Sequence, residues 1–285
     1  MSEKVYQIIQ EQILKKLDEG TVPWRKTWNG FGKPKNIISN KEYRGFNWLM
    51  LSCSGYTSPF WMTKKQCQQL GGKIDYSKEK STMIIFWKFL ESQNDKGEVE
   101  KRFPMLRYYH VYNYNQTTGI TLKPEQIETF DPVNNDPIEN CENLVNNWKK
   151  MPEIVFGKRP SYNPTFDHIG MPKITDFHSS VEYYATLFHE MGHSTMHLTR
   201  LNRTGLSYAK EELVAEMSAC FLCGVMGIEN LTIENSATYI QSWRQKISED
   251  PKLVIQAASM AQKASNYIQN IYDFTEIKEE IADCA

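Results

Sequence analysis

No stretch of the 285 residues stays apolar over the roughly 20 positions that a membrane-spanning helix needs. The opening Met1-Ser2-Glu3-Lys4 also lacks the apolar core of a secretion signal. Cysteine is scarce: Cys53, Cys67, Cys141, Cys220, Cys223 and Cys284 are too thinly spread for a disulfide framework. Cys220 and Cys223 form a C-x-x-C with no second pair, which reads as buried thiols. Internal repeats and extended low-complexity segments are absent too. These absences predict a reduced, cytoplasmic protein with no membrane partner.

Net charge is nearly absent, at −1, but the balance conceals a division. Residues 1 to 123 hold 20 Lys and Arg against 11 Asp and Glu, a balance of +9, which leaves 13 against 23, or −10, for the remainder. Such asymmetry predicts two modules, with a polyanionic partner on the basic one. Asp131-Pro132-Val133-Asn134-Asn135-Asp136-Pro137 has the composition of a linker. The expected division is therefore 1–127, a linker region 128–147, and 148–285.

The most specific motif present is His189-Glu190-Met191-Gly192-His193. On a helix, histidines four apart share a face and can reach one ion, while the glutamate beside the first can serve as a base toward water. The flanks support a helix from about Ser180 to His197. Ser179 and Glu182 have capping-box spacing, and Tyr184, Leu187, Phe188 and Met191 form an apolar stripe. The pattern is that of a zinc hydrolase of the zincin type, whose third donor lies further along the chain. A second amphipathic helix over Glu211 to Cys223 offers Glu212 and Glu216 on one face. Glu216 sits deeper in the apolar run and is the preferred ligand, with Glu212 in reserve. His197 repeats the four-residue spacing one turn further along, about 5–6 Å away, which suits substrate contact or support of the ligands better than ligation.

The basic half also holds 19 of the 35 aromatic residues, several of them interleaved with cations. Unpaired bases stack on aromatic planes while Lys and Arg follow phosphates, so this mixture suits single-stranded DNA. Candidate contacts are Trp24, Arg25, Lys26, Trp28, Arg44, Asn47, Trp61, Lys64, Lys88, Arg107 and Tyr108. Any one of these rings could instead belong to the core. Apolar periodicity predicts a first helix through Val5, Ile9, Ile13 and Leu17, another over Thr63 to Leu70, and strands over Met83 to Leu90 and Leu106 to Tyr114. A strand near Ile169 to Ile174 is then followed by helices.

Pro23-Trp24-Arg25-Lys26, Tyr43-Arg44-Gly45-Phe46-Asn47, Ser58-Pro59-Phe60-Trp61-Met62-Thr63 and Phe86-Trp87-Lys88, together with His189-Glu190, Arg200-Leu201-Asn202-Arg203 and Glu211-Glu212-Leu213-Val214-Ala215-Glu216, stand in the order found in a known family. From Ile8 to about Tyr267 the chain resembles the ArdC-type antirestriction proteins of conjugative plasmids, whose N-terminal domain also opens plasmid TraC-type primases. One departure is Tyr76-Ser77-Lys78-Glu79-Lys80-Ser81, where the family often has a basic, glycine-containing turn, so the resemblance assigns no DNA contact there. It implies an α+β chain: a small mixed α/β N-terminal domain binding single-stranded DNA, then a mainly helical zincin-like metallopeptidase domain. It further implies protection of incoming plasmid or mobile-element DNA from host restriction. His189, His193 and Glu216 would hold Zn2+ or another divalent transition metal, with Glu190 as catalytic base and a DNA-bound or restriction-related protein as substrate. Two alternatives stay open: a DNA-binding module whose metal is purely structural, and a protease activated by DNA to cleave proteins held on it.

Overall fold

The computed structural model describes residues 2–19, 22, 33–52, 54–77, 81–93, 99–122, 137–203, 205–228 and 237–272. Helix α1 (Ser2–Asp18) buries Val5, Ile9, Ile13 and Leu17, a stripe at four-residue spacing. A four-stranded sheet follows in the order β1-β2-β5-β4, built from β1 (Lys35–Asn36), β2 (Phe60–Thr63), β4 (Thr82–Gln93) and β5 (Val99–Asn113). β4 and β5 form a long antiparallel hairpin, rich in the β-branched and aromatic residues that favour a pleated surface. Helix α2 (Gly45–Ser52) lies along the outer edge of β4. There the Asn47 amide donates to the Ile85 carbonyl at 2.7 Å and accepts from the Ile85 N–H at 2.7 Å, replacing a missing neighbour strand. Helix α3 (Lys64–Gln69) begins on Thr63, whose hydroxyl accepts from the Gln66 N–H while the Gln66 side chain returns to the Thr63 N–H. β3 (Lys73–Ile74) and β6 (Thr117–Thr118) pair in a small ribbon beside it.

The second half opens with α4 (Pro137–Asn147), which buries Cys141 and is followed by the buried Trp148. The latter part of the expected linker is therefore a packed helix; residues 128–136 lie outside the described residues. Next comes a three-stranded sheet in the order β7-β9-β8, from β7 (Glu153–Phe156), β8 (Ser161–Asn163) and β9 (His168–Met171). Among the described residues four helices follow: α5 (Ser180–Ser194), α6 (Tyr208–Met226), α7 (Ala237–Glu249) and α8 (Leu253–Ile268).

The largest core cluster joins both halves. It gathers Val5, Ile9 and Ile13 of α1, Phe46, Trp48 and Leu49 of α2, and Met83, Ile85 and Leu106 of the sheet with Leu213, Met217 and Phe221 of α6 and Trp243 and Ile247 of α7. The Trp48 ring lies 4.5 Å from that of Phe221, and it passes so near Gly224 that a Cβ there would sit 2.8 Å from the indole. Gly224 admits the indole, which locks α2 onto α6. The Gln10 amide donates to the Ile247 carbonyl at 2.6 Å, a further tie between the halves. Among the described residues, no helix is long and apolar enough to cross a membrane.

Candidate metal centre

Helix α5 starts as its sequence dictates: the Ser179 hydroxyl accepts from the Glu182 N–H at 3.1 Å, and the Glu182 carboxylate accepts from the His178 N–H at 2.9 Å. Tyr184, Leu187, Phe188 and Met191 are buried on its core side, leaving His189 and His193 to face α6. The helices cross at Gly192. A Cβ on it would stand 3.1 Å from Cβ of Ser218 and 3.2 Å from both Cα and the carbonyl oxygen of Ala215. This close crossing carries the carboxylates of α6 to the imidazoles of α5.

The Nε2 atoms of His189 and His193 are 3.1 Å apart, and the Glu212 carboxylate lies 3.5 Å from each. These three residues form a group whose donor atoms lie within 4.8 Å of one another. Glu216 is placed differently: its Oε2 is 3.2 Å from Nδ1 of His189, the nitrogen that points away from the convergence. The expected preference for Glu216 over Glu212 is thereby reversed. Glu216 is the deeper of the two, at 2% exposure against 8%, and a donor to an ion accessible to water must lie nearer the surface. Its position is that of a carboxylate fixing the orientation of His189. Glu211, which the sequence reading passed over, lies 3.6 Å from Nδ1 of His193 and is itself held by Arg203 at 2.6 Å. The cue in the sequence was its neighbour: an acid beside Glu212 on a helix reaches the other imidazole.

Burial alone would lower the His189 imidazole, yet Glu212 and Glu216 carry it up to about 10. His193 is also raised, because Glu211 and Glu212 outweigh its burial. The Glu212 carboxyl is held well below the ordinary value by the two histidines, against the opposing effect of burial. A cation entering the site must compete with protons for these donors. Two imidazole nitrogens and a carboxylate suit Zn2+ and neighbouring divalent transition metals, and three protein donors leave a position for water.

Glu190 is buried, which pushes its carboxyl up, and its carboxylate accepts a hydrogen bond from the backbone N–H of Tyr162 in β8. That edge strand is anchored in turn. The Tyr162 hydroxyl donates to Asp167 at 2.8 Å, Asp167 is paired with Arg200, and Arg200 Nε donates to the Ser194 carbonyl at 2.7 Å near the end of α5. His197 departs from its expected place, because α5 ends at Ser194 and not at His197. Past that end the His197 ring turns to the Thr199 hydroxyl, 2.8 Å from Nδ1.

The basic half offers a mixed result for the DNA candidates. Trp24, Arg25, Lys26 and Trp28 lie outside the described residues, and Lys88 falls on β4 opposite Met105. Arg44, Lys64, Arg107 and Tyr108 are exposed. Trp61 is 1% exposed and packs edge-on against Tyr56, so its ring offers no plane to a base in this conformation. Asn47 is occupied by the β4 edge. Both are corrected from DNA contacts to framework residues, since all four residues of β2 are buried and the Asn47 amide is spent on the Ile85 backbone.

Paired histidines and a carboxylate on crossing helices, with a buried glutamate alongside, define a zincin-type centre, and residues 139–260 match the zincin-like metallopeptidase family model. Residues 3–112 match the N-terminal domain of the anti-restriction factor ArdC. The chain belongs to the ArdC antirestriction family. Its fold is similar to that of the metal-free crystal structure of the antirestriction ArdC protein from plasmid R388, with a TM-score of 0.74 at 33% identity over 93% of this chain and 97% of that one. The Mn(II)-bound structure of the same protein gives 0.71 at 32% identity, over 95% and 99%. A DNA primase TraC of Escherichia coli is 31% identical over 291 residues, which is 92% of this chain but 20% of the primase. The chain thus spans about a fifth of that relative. An uncharacterized protein, y4eC of Sinorhizobium fredii (strain NBRC 101917 / NGR234), is 28% identical over 286 residues, covering 93% and 91%.

Proposed function

We propose that this chain is an antirestriction protein that binds single-stranded DNA through its basic half, carries a zinc metallopeptidase-type site in its other half, and protects incoming plasmid or mobile-element DNA from host restriction in the cytoplasm. The observation that carries the site reading is the convergence of His189, His193 and Glu212 beside the buried Glu190. These three residues would hold the ion, with Glu216 and Glu211 orienting the imidazoles from behind. Bound there, a divalent ion supplies Lewis acidity toward a water and a carbonyl oxygen. Glu190 moves the proton: burial raises its affinity for one, so its carboxylate takes a proton from the attacking water and returns it to the leaving amine. The Tyr162 N–H holds that carboxylate in place.

Transfer of an unmodified mobile DNA into a restricting host, with this chain or its Glu190→Gln variant supplied, tests the function. Protection by the parent chain that falls in the variant at unchanged metal content supports the enzymatic reading. Full protection by Glu190→Gln refutes the role given to the base. A second reading, a DNA-binding module with a structural metal, draws on the primase relative, in which a similar segment makes up only a fifth of the chain. Protection that survives both Glu190→Gln and loss of metal ligation in a His193→Ala variant that stays folded favours it.

A further inference from the structure

Strand β5 displays a row of rings that the metal centre does not use. Tyr108, His110 and Tyr112 are two residues apart and so share one face of the strand. The Tyr108 and His110 rings meet edge to face with centroids 5.7 Å apart. Past Tyr112 the row is continued by Tyr76, from the turn after β3, at 6.4 Å and again at right angles. The Lys64 ammonium of α3 stands 5.7 Å from the centroid of Tyr76. Tyr76 is 65% exposed and Tyr108 43%; His110 is exposed and Tyr112 half-buried. The contrast with Leu106, on the same face but fully buried, marks where the core ends and the open row begins.

We propose that Tyr108, His110, Tyr112 and Tyr76, with Lys64 beside them, form a track on which successive bases of single-stranded DNA stack. The inference rests on the reading that the chain binds single-stranded DNA, and it assigns the place. Edge-to-face packing braces each ring, and the exposure of Tyr76 and Tyr108 leaves ring surface to planar partners. Residues two apart on a strand repeat about every 6.6–6.8 Å, a spacing that a stretched sugar–phosphate chain can follow. Charge complements shape: the half that bears the row carries +9, and the exposed Lys64 stands against Tyr76. Duplex DNA keeps its bases stacked on one another and cannot use such a row. The turn at Tyr76, to which the family resemblance gives no DNA contact, thereby becomes one end of the site.

The test uses the full chain, a labelled oligothymidylate and a duplex of equal length, with anisotropy titrations across a salt series. Tyr76→Ala and Tyr108→Ala should each weaken single-strand binding roughly five- to hundredfold, while the slope of log affinity against log salt stays unchanged, because a stack and not a phosphate contact is lost. Tyr76→Phe should bind as the parent does. Lys64→Gln should reduce the slope by about 0.7. Both tyrosines are exposed, and an unchanged melting temperature confirms that the variants fold. Selective single-strand binding by the parent with no loss in either alanine variant overturns the track and leaves the broader reading standing. A parent that does not prefer single strands overturns that reading and the track with it.

Discussion

The reversal of the two carboxylates has a measurable consequence. In Glu212→Gln a carboxylate, with one oxygen 3.5 Å from Nε2 of His189 and the other 3.5 Å from Nε2 of His193, becomes a neutral amide that donates poorly to a cation. Closed four-donor zinc sites are worth roughly 10–16 kcal/mol, so one donor corresponds to about 3–4 kcal/mol, or two to three orders of magnitude in affinity. Glu216→Gln removes charge behind His189 but keeps an acceptor oxygen for the Nδ1 proton at 3.2 Å, and a change to such a supporting partner costs about 10–100-fold. Competition between the metal-stripped protein and a chelator, for Zn2+ and for Mn2+ at fixed pH, ranks the two variants directly. Melting curves of the metal-free forms confirm that each is folded. Glu212→Gln should be the weaker binder for both ions. The opposite ranking would refute the placement of Glu212 among the donors.

Three further outcomes follow from the packing. Gly192→Ala gains about 1 kcal/mol of helix preference, but its methyl meets backbone and Cβ atoms at 3.1–3.2 Å. Overpacking of about 1–3 kcal/mol should win, lowering both melting temperature and metal affinity by prising α5 from α6; a more stable variant with unchanged affinity would contradict this. Trp48→Ala should cost about 3–5 kcal/mol and leave one cooperative calorimetric transition, since the indole belongs to the core of both halves; two resolved transitions would argue for separate cores. Asp167 is held below its ordinary value by Arg200 and the Tyr162 hydroxyl, although burial acts the other way. A lowered carboxyl contributes stability above its unfolded value near 3.9 that is lost as pH falls through the folded value, so Asp167→Asn should flatten the decline in melting temperature below about pH 4. An identical acid limb in parent and variant would refute the pair's contribution.

Much of the site was legible because helices write their burial pattern into sequence. The stripe of α1, the Ser179 cap of α5 and the histidine pair are all local, and each appears where periodicity puts it. What could not be read were relations between elements. Whether Glu212 or Glu216 meets the histidines depends on where α5 and α6 cross, and that is set by Gly192 against Ala215 and Ser218, residues 23 to 26 positions apart in the chain. Depth in an apolar run was the wrong proxy, since the deepest acid on a helix is the one farthest from an open coordination position. Asn47 gave no sign that its amide would stand in for a strand at the edge of β4, because that role exists only once the sheet is built.

The charge division carries a different kind of information. Charges sit on surfaces, so a shift from +9 to −10 along the chain reports two surfaces and carries no information about how many interiors lie beneath them. Here one core cluster spans both: Trp48 of the basic half rests on Phe221 and Gly224 of α6, about two and a half and three and a third helical turns from the Glu212 that faces the histidines. A fragment cut between the matched segments would strip the apolar faces of α1 and α2 of their cover, and its failure to bind DNA would say nothing about the intact molecule. The two proposed activities are therefore to be separated by side-chain substitution in the whole chain, at Tyr76 for DNA and at Glu212 for metal.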